Sequence, residues 1–218
     1  MNNLFCGIKY VGFDLDNTLY PKNHNLDHLI RNEIVSYLLK NNHQLKNMEI
    51  ARKFYDKEYQ KIGSWTKILK DGGFSNPKNL MYKFMSNKVI LKYIKRDEKI
   101  AKILEKLVKK YKLFLITSSP RKIGIKKLEN IGINIKHFCY IRFGDDSKAT
   151  SKIDGKVFKN FLKWSKHSSK NHVYIGDQLR GDILPAKSLG MKTISVGTRI
   201  PEADYSVEKI YEIEDLLL

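Results

Sequence analysis

A chain of 218 residues, 42% of them hydrophobic, can close around a substantial core without covalent staples, as one larger domain or a domain with a smaller one inserted. Cys6 and Cys139 are too few and too far apart for a disulfide framework or a zinc site, and no apolar run approaches the roughly 20 residues that cross a bilayer. The formal charge of +18 invites a polyanion, yet only seven of the 41 basic residues are arginine and the lysines run along the whole chain; a solvated Lys-rich surface is favoured over a nucleic-acid partner.

Met1-Asn2-Asn3-Leu4-Phe5 lacks the charged-then-apolar layout of an export signal, so the expectation is a soluble protein of the reducing cytoplasm with no membrane partner. The first element is Ile8-Lys9-Tyr10-Val11-Gly12-Phe13, a β-rich run that stops at Asp14-Leu15-Asp16 and enters turn-prone Asn17 and Pro21. It reads as a buried strand with carboxylates at its C-terminal end, where open α/β sheets bind their ligands.

A helical stretch follows. Leu26, Leu29, Ile30, Ile34, Tyr37 and Leu38 recur at helical spacing, and a second pattern runs from about Met48 to Tyr59. The region continues through Gly63-Ser64-Trp65, the turn Asp71-Gly72-Gly73 and a helical piece from Leu80 to Met85, and closes near Lys95.

From Asp97 helix and strand alternate. Ile100, Ile103, Leu104, Leu107, Val108 and Tyr111 form one apolar stripe before the strand Leu113 to Ile116. Helix Arg121 to Ile131, stopped by Gly132, precedes strand His137 to Ile141; helix Lys156 to His167 precedes strand Val173 to Ile175; helix Ile183 to Leu189, stopped by Gly190, precedes strand Thr193 to Val196. This rhythm implies an α/β fold with a doubly wound, mostly parallel, Rossmann-like sheet, built from residues 1–20 and 96–218 and interrupted by an all-helical insertion at 21–95. The insertion holds 15 Lys/Arg against 6 Asp/Glu, a net of +9 in 75 residues, and is about twice as basic per residue as the rest.

Four short features fall at or just beyond expected strand ends: Asp14-Leu15-Asp16, Thr117-Ser118-Ser119, Lys152 ahead of a helix, and Gly176-Asp177-Gln178-Leu179-Arg180-Gly181-Asp182. Each alone is most often a solvated turn, cap or loop. In this order, and on these elements, they resemble the four motifs of the haloacid dehalogenase (HAD) superfamily of phosphatases across essentially the whole chain. Lys152 is chosen over Lys148 and Lys156 because Lys152-Ile153-Asp154-Gly155-Lys156-Val157-Phe158 is similar to the family's Lys-Pro-Asp-Pro-x-x-Phe segment, although both prolines are missing.

The resemblance implies Mg²⁺ held by the Asp14 carboxylate, the Asp16 backbone carbonyl and the Asp177 carboxylate, with Asp182 a direct or water-mediated ligand. It implies Asp14 as nucleophile, forming an aspartyl-phosphate, and Asp16 as acid and base, since two residues on in an extended segment a side chain returns to the same side. Thr117 and the Ser118 amide would hold phosphoryl oxygens, and Lys152 would pair with Asp14 and the phosphate. Dehalogenases of this pattern lack an acid at the Asp16 position, so dehalogenation is disfavoured; a phosphomutase would keep the same core motifs.

The insertion lies where the superfamily places a cap that sets specificity, and the segment Asp14 to Tyr20 followed by Pro21, together with Phe54 to Tyr59, is similar to the pyrimidine 5′-nucleotidase-like branch. Within it, Trp65 would stack on a base or sugar, or be a core aromatic, and Lys67 would meet an anion. Arg121 would touch the leaving group, or be a surface residue at a helix start. The implied substrate is a small phosphorylated metabolite, with a nucleoside monophosphate ahead of a sugar phosphate or a phosphoglycolate-type ester; a basic polyanion-binding protein retaining the fold is the alternative from another class.

Overall fold

The computed structural model describes residues 4–62, 65–71, 74, 80, 84, 88–146 and 152–218, with the side chains of 65–67 and 88–89 outside that description. In chain order the regular elements are β1 (Tyr10–Phe13), α1 (His24–Asn41), α2 (Met48–Ile62), α3 (Trp65–Asp71), α4 (Lys88–Lys92), α5 (Glu98–Lys110), β2 (Lys112–Ile116), α6 (Arg121–Ile131), β3 (Phe138–Arg142), α7 (Lys156–Ser165), β4 (His172–Gly176), α8 (Leu184–Ser188), β5 (Lys192–Val196), β6 (Tyr205–Val207) and α9 (Ile213–Leu217). Contacts divide them into two compact units, residues 1–22 with 94–218, and residues 23–93.

In the larger unit the strands form one six-stranded sheet in the order β3-β2-β1-β4-β5-β6, and every neighbouring pair is parallel. Strand order reverses between β1 and β4, which opens a crevice beyond their C-terminal ends. The central strands of a parallel sheet are covered on both faces, and β1 and β4 are accordingly buried at every residue rather than alternating. On one face Ile100, Ile103, Leu104 and Leu107 of α5 and Leu128 and Ile131 of α6 pack on Val11, Phe13, Leu113, Leu115, Val173 and Ile175. On the other, Val157, Phe158 and Phe161 of α7 meet Tyr10, Phe114 and Tyr174. Gly12 is required there, since a Cβ on it would stand 2.0 Å from the Phe114 ring.

The helix ends follow local chemistry. The Asp97 carboxylate accepts the amides of Lys99 and Ile100 to start α5, and Gly132, with φ 93°, closes α6 in the left-handed conformation that glycine adopts without strain. α7 stops at Ser165, two residues short of the expected end, because Lys166 turns left-handed at φ 56°. The helix expected from Ile183 is preceded by a π-helical turn over Leu179–Ile183, in which the amides of Asp182 and Ile183 both donate to the Gln178 carbonyl, and α8 continues from it. β6 is an additional edge strand, too short at three residues to show an apolar period.

In the smaller unit the Asn23 side chain caps α1, and Ile34, Val35, Leu38, Ala51, Tyr55, Ile68, Leu69 and Phe84 share one core. Arg31 of α1 holds Asp56 of α2, with Nε donating to Oδ1 at 2.8 Å. Of the expected helical piece from Leu80 to Met85, Leu80 and Phe84 are helical; its other residues, and Gly63, Ser64, Gly72 and Gly73, lie outside the described residues.

Candidate active site

At the exit of β1 the Asp14 amide still donates to the Ile175 carbonyl at 2.9 Å, so the sheet's hydrogen bonding fixes the backbone that carries the first carboxylate. Asn17 then takes φ 58°, a left-handed geometry that asparagine tolerates better than most side chains, and the chain turns back so that the Leu19 amide reaches the Leu15 carbonyl. Next to it, at the exit of β2, buried Thr117 accepts the Ser119 amide on Oγ1 at 3.0 Å while its own amide donates to Arg142.

Beyond β4 the π-helical turn carries Asp182 back against Gly176. A Cβ on Gly176 would stand 2.4 Å from the Asp182 Cγ, so only glycine admits that buried carboxylate. Asp182 Oδ2 accepts the Gln178 amide at 3.0 Å, and its Oδ1 accepts Lys152 Nζ at 2.6 Å. Lys152, in the single turn Lys152–Asp154, donates equally to Asp14 Oδ1 at 2.6 Å. One buried ammonium thus bridges the carboxylates that follow β1 and β4.

Asp14, Asp177 and Asp182 each bring a carboxylate oxygen to within 4.8 Å of the others. Among the described residues, Asp177 Oδ1 is buried with no hydrogen-bond partner, and Asp177 Oδ2 receives a long hydrogen bond from Asn17 at 3.4 Å. Converging carboxylate oxygens, one of them unsatisfied, are the donor set of a hard divalent cation. The Asp16 carboxylate takes no part in this group. Its Oδ1 accepts from Lys127 Nζ and the Tyr20 hydroxyl, and its Oδ2 from Ser119 Oγ at 2.6 Å.

The charges agree. Among the described residues, Asp14, Asp16, Asp177 and Asp182 against Lys127 and Lys152 leave a formal surplus of two negative charges. Burial, reinforced by Asp182, Asp177 and Asp16 and opposed by Lys152, raises the Asp14 carboxyl well above its ordinary value. Burial and then Asp182 push Asp177 up to about 7. Burial would lower Lys152, but Asp14 and Asp182 more than offset it and keep the ammonium charged. Asp16 differs: burial raises it, yet the Lys127 charge and the hydrogen bonds from Lys127, Ser119 and Tyr20 prevail and hold it below its ordinary value.

The fold therefore brings Asp14, Asp16, Thr117, Lys152, Asp177 and Asp182 to the C-terminal edge of the sheet, with exposed Ser118 beside Thr117. Arg121, at the start of α6, pairs with the segment after β3: its amide donates to Asp145, its guanidinium to Asp146 at 2.6 Å, and it lies over the Phe143 ring. The Trp65 and Lys67 side chains lie outside the described residues. Sequence reasoning missed Lys127, Tyr20 and Ser119, the three donors to Asp16. Lys127 did leave a signal, since it sits four residues from both Ile123 and Ile131 on the inner stripe of α6, where the flanking positions are apolar.

A family model described as haloacid dehalogenase-like hydrolase matches residues 11–196. Among solved structures, a HAD phosphatase from Thermococcus onnurineus is 22% identical, with a TM-score of 0.65 over 96% of this chain and 98% of that one. A 2-haloacid dehalogenase from Pseudomonas syringae pv. Tomato DC3000 is 19% identical, with a TM-score of 0.59 over 96% and 98%. The HAD-family protein YfnB from Bacillus subtilis, in a structure bound to magnesium, is 15% identical, with a TM-score of 0.61 over 96% and 98%. No curated protein matches.

Proposed function

The chain belongs to the haloacid dehalogenase-like hydrolases, and from that premise we propose that it is a Mg²⁺-dependent phosphomonoester hydrolase with Asp14 as nucleophile and Asp16 as acid and base. The observation that carries the reading is the division of the four carboxylates: Asp14, Asp177 and Asp182 gather their oxygens within 4.8 Å, while Asp16 turns its own to Lys127, Ser119 and Tyr20. A dehalogenase has no use for the second arrangement, because a departing halide needs no proton, whereas an ester oxygen does.

Asp14, Asp177 and the Asp16 backbone carbonyl would hold the cation, with Asp182 as a direct or water-mediated ligand. Bound there, Mg²⁺ supplies positive charge to the attacking carboxylate and the phosphoryl oxygens, which would otherwise repel each other. The chain's own residues do the rest. An Asp14 oxygen forms a bond to phosphorus as the ester P–O bond breaks, and the leaving oxygen takes a proton from Asp16, which binds that proton from solvent beforehand because Lys127, Ser119 and Tyr20 hold its carboxylate ionised at rest. Asp16 then accepts a proton from water, whose oxygen bonds to phosphorus while the Asp14 O–P bond breaks and phosphate departs. Lys152 orients Asp14 and offsets phosphate charge, and Thr117 with the Ser118 amide receives the remaining phosphoryl oxygens.

The unit of residues 23–93, inserted directly after the first carboxylates, would select among small phosphate esters, and a nucleoside monophosphate heads the panel before sugar phosphates and phosphoglycolate. The test is phosphate release from p-nitrophenyl phosphate with and without Mg²⁺. Release should depend on the metal and fall by at least about 10³-fold in Asp14→Asn. Release that survives in that variant, or that ignores Mg²⁺, would overturn the reading.

A further inference from the structure

Lys127 is 1% exposed on the inner face of a helix, in a chain whose other lysines are mostly surface residues. An ammonium is withdrawn from water only where acceptors replace the water, and a methionine or leucine would fill the same stripe without that demand. Its hydrogen-bond acceptors are Asp16 Oδ1 and, at 2.9 Å, Ser119 Oγ. Ser119 passes the contact on, donating to Asp16 Oδ2 at 2.6 Å, and the Tyr20 hydroxyl adds a further donor to Oδ1. Both oxygens of Asp16 are therefore engaged, from two directions and through three side chains that come from α6, the loop after β2 and the loop after β1. The Asp16 side chain remains 28% exposed, so the support comes from the protein side and an open face is left.

We propose that Lys127 is a positioning residue: through its direct contact and through Ser119, and together with Tyr20, it fixes the orientation in which Asp16 meets the leaving oxygen of the ester. The proposal rests on the Asp16 assignment made above. Lys127 touches neither the converging carboxylates nor Lys152 among its hydrogen bonds and ion pairs in the described residues, so its influence runs through Asp16. Its loss should be felt in proportion to how much the leaving oxygen needs a proton. A p-nitrophenolate leaves readily without one; a phenolate does so less readily.

The experiment measures kcat/KM for phosphate release, with Mg²⁺ present, across a series from p-nitrophenyl phosphate to phenyl phosphate, for the wild type and for Lys127→Met, Ser119→Ala and Tyr20→Phe. Lys127→Met should lose at least about tenfold more on phenyl phosphate than on p-nitrophenyl phosphate, with smaller steepening of the same sign in Ser119→Ala and Tyr20→Phe. Lys127→Arg should recover part of the slope. An equal loss on every ester would mean that Lys127 only supports the fold, and the proposal would be wrong. Should Lys127→Met fail to fold, the serine and tyrosine variants decide by the same slope. Asp14→Asn in the same assay keeps the premise separate: release surviving there removes the nucleophile reading, whereas release abolished there with an unchanged Lys127→Met slope removes only the positioning role.

Discussion

Lys152 is the side chain on which the two halves of the sheet edge depend, because its one ammonium answers both Asp14 and Asp182 at 2.6 Å. Replacing it by methionine keeps the volume and leaves two buried carboxylates facing each other, a change of the kind that costs about 3–5 kcal/mol when one partner of a buried ion pair is removed. Lys152→Met should therefore lower the thermal unfolding midpoint as well as phosphate release, and Mg²⁺ should restore more of its stability than of the wild type's. A variant as stable as the wild type would show that the pairing is not needed. At this scale the carboxylates were legible in the sequence because their spacing is short and local. Lys127 was not: 34 lysines make any one of them look like surface, and the contact that distinguishes it is with Asp16, 111 residues away.

Among the elements, the π-helical turn after β4 does most to shape the site. It tightens the return of the chain so that Asp182 lies against Gly176, and it ends in α8 with Pro185 in the first turn. Gly176→Ala would place a methyl 2.4 Å from the Asp182 Cγ, and the carboxylate has no way to move without abandoning Lys152 and the Gln178 amide. We expect a loss of about 1–3 kcal/mol in denaturant unfolding together with a loss of Mg²⁺ binding by calorimetry. Unchanged metal affinity would show that Asp182 stands apart from the cation. The sequence placed a helix nearby but not this turn, since a π turn differs from an α turn by one residue per hydrogen bond and leaves no apolar period of its own.

For the whole molecule the surplus of buried negative charge ties stability to pH. Asp177 keeps its proton in the folded protein up to about 7, through burial and the neighbouring Asp182, whereas in the unfolded chain a carboxyl releases it near pH ~4. Between those values the folded state binds more protons than the unfolded one, so this contribution to stability falls as pH rises, and Asp14 acts in the same direction. A cation replaces those protons. Saturating Mg²⁺ should thus raise the unfolding midpoint by more at pH ~8 than at pH ~5, where it must first displace protons. Equal shifts at the two pH values would contradict the account.

The chain by itself determined that a parallel α/β sheet is formed, which strands carry acids and hydroxyls at their ends, and that a helical segment interrupts the pattern, because these follow from periods and breakers that act over a few residues. Tertiary structure alone decided which carboxylates converge and which stand apart. Asp14 and Asp16 are two residues apart in the chain, yet one is drawn toward Asp177, Asp182 and Lys152 and the other toward Lys127, Ser119 and Tyr20. The strand order sets Asp14 beside Asp177, and the docking of α6 sets Lys127 beneath Asp16. Electrostatic environment is a property of neighbours in space, and those neighbours come from distant stretches of the chain.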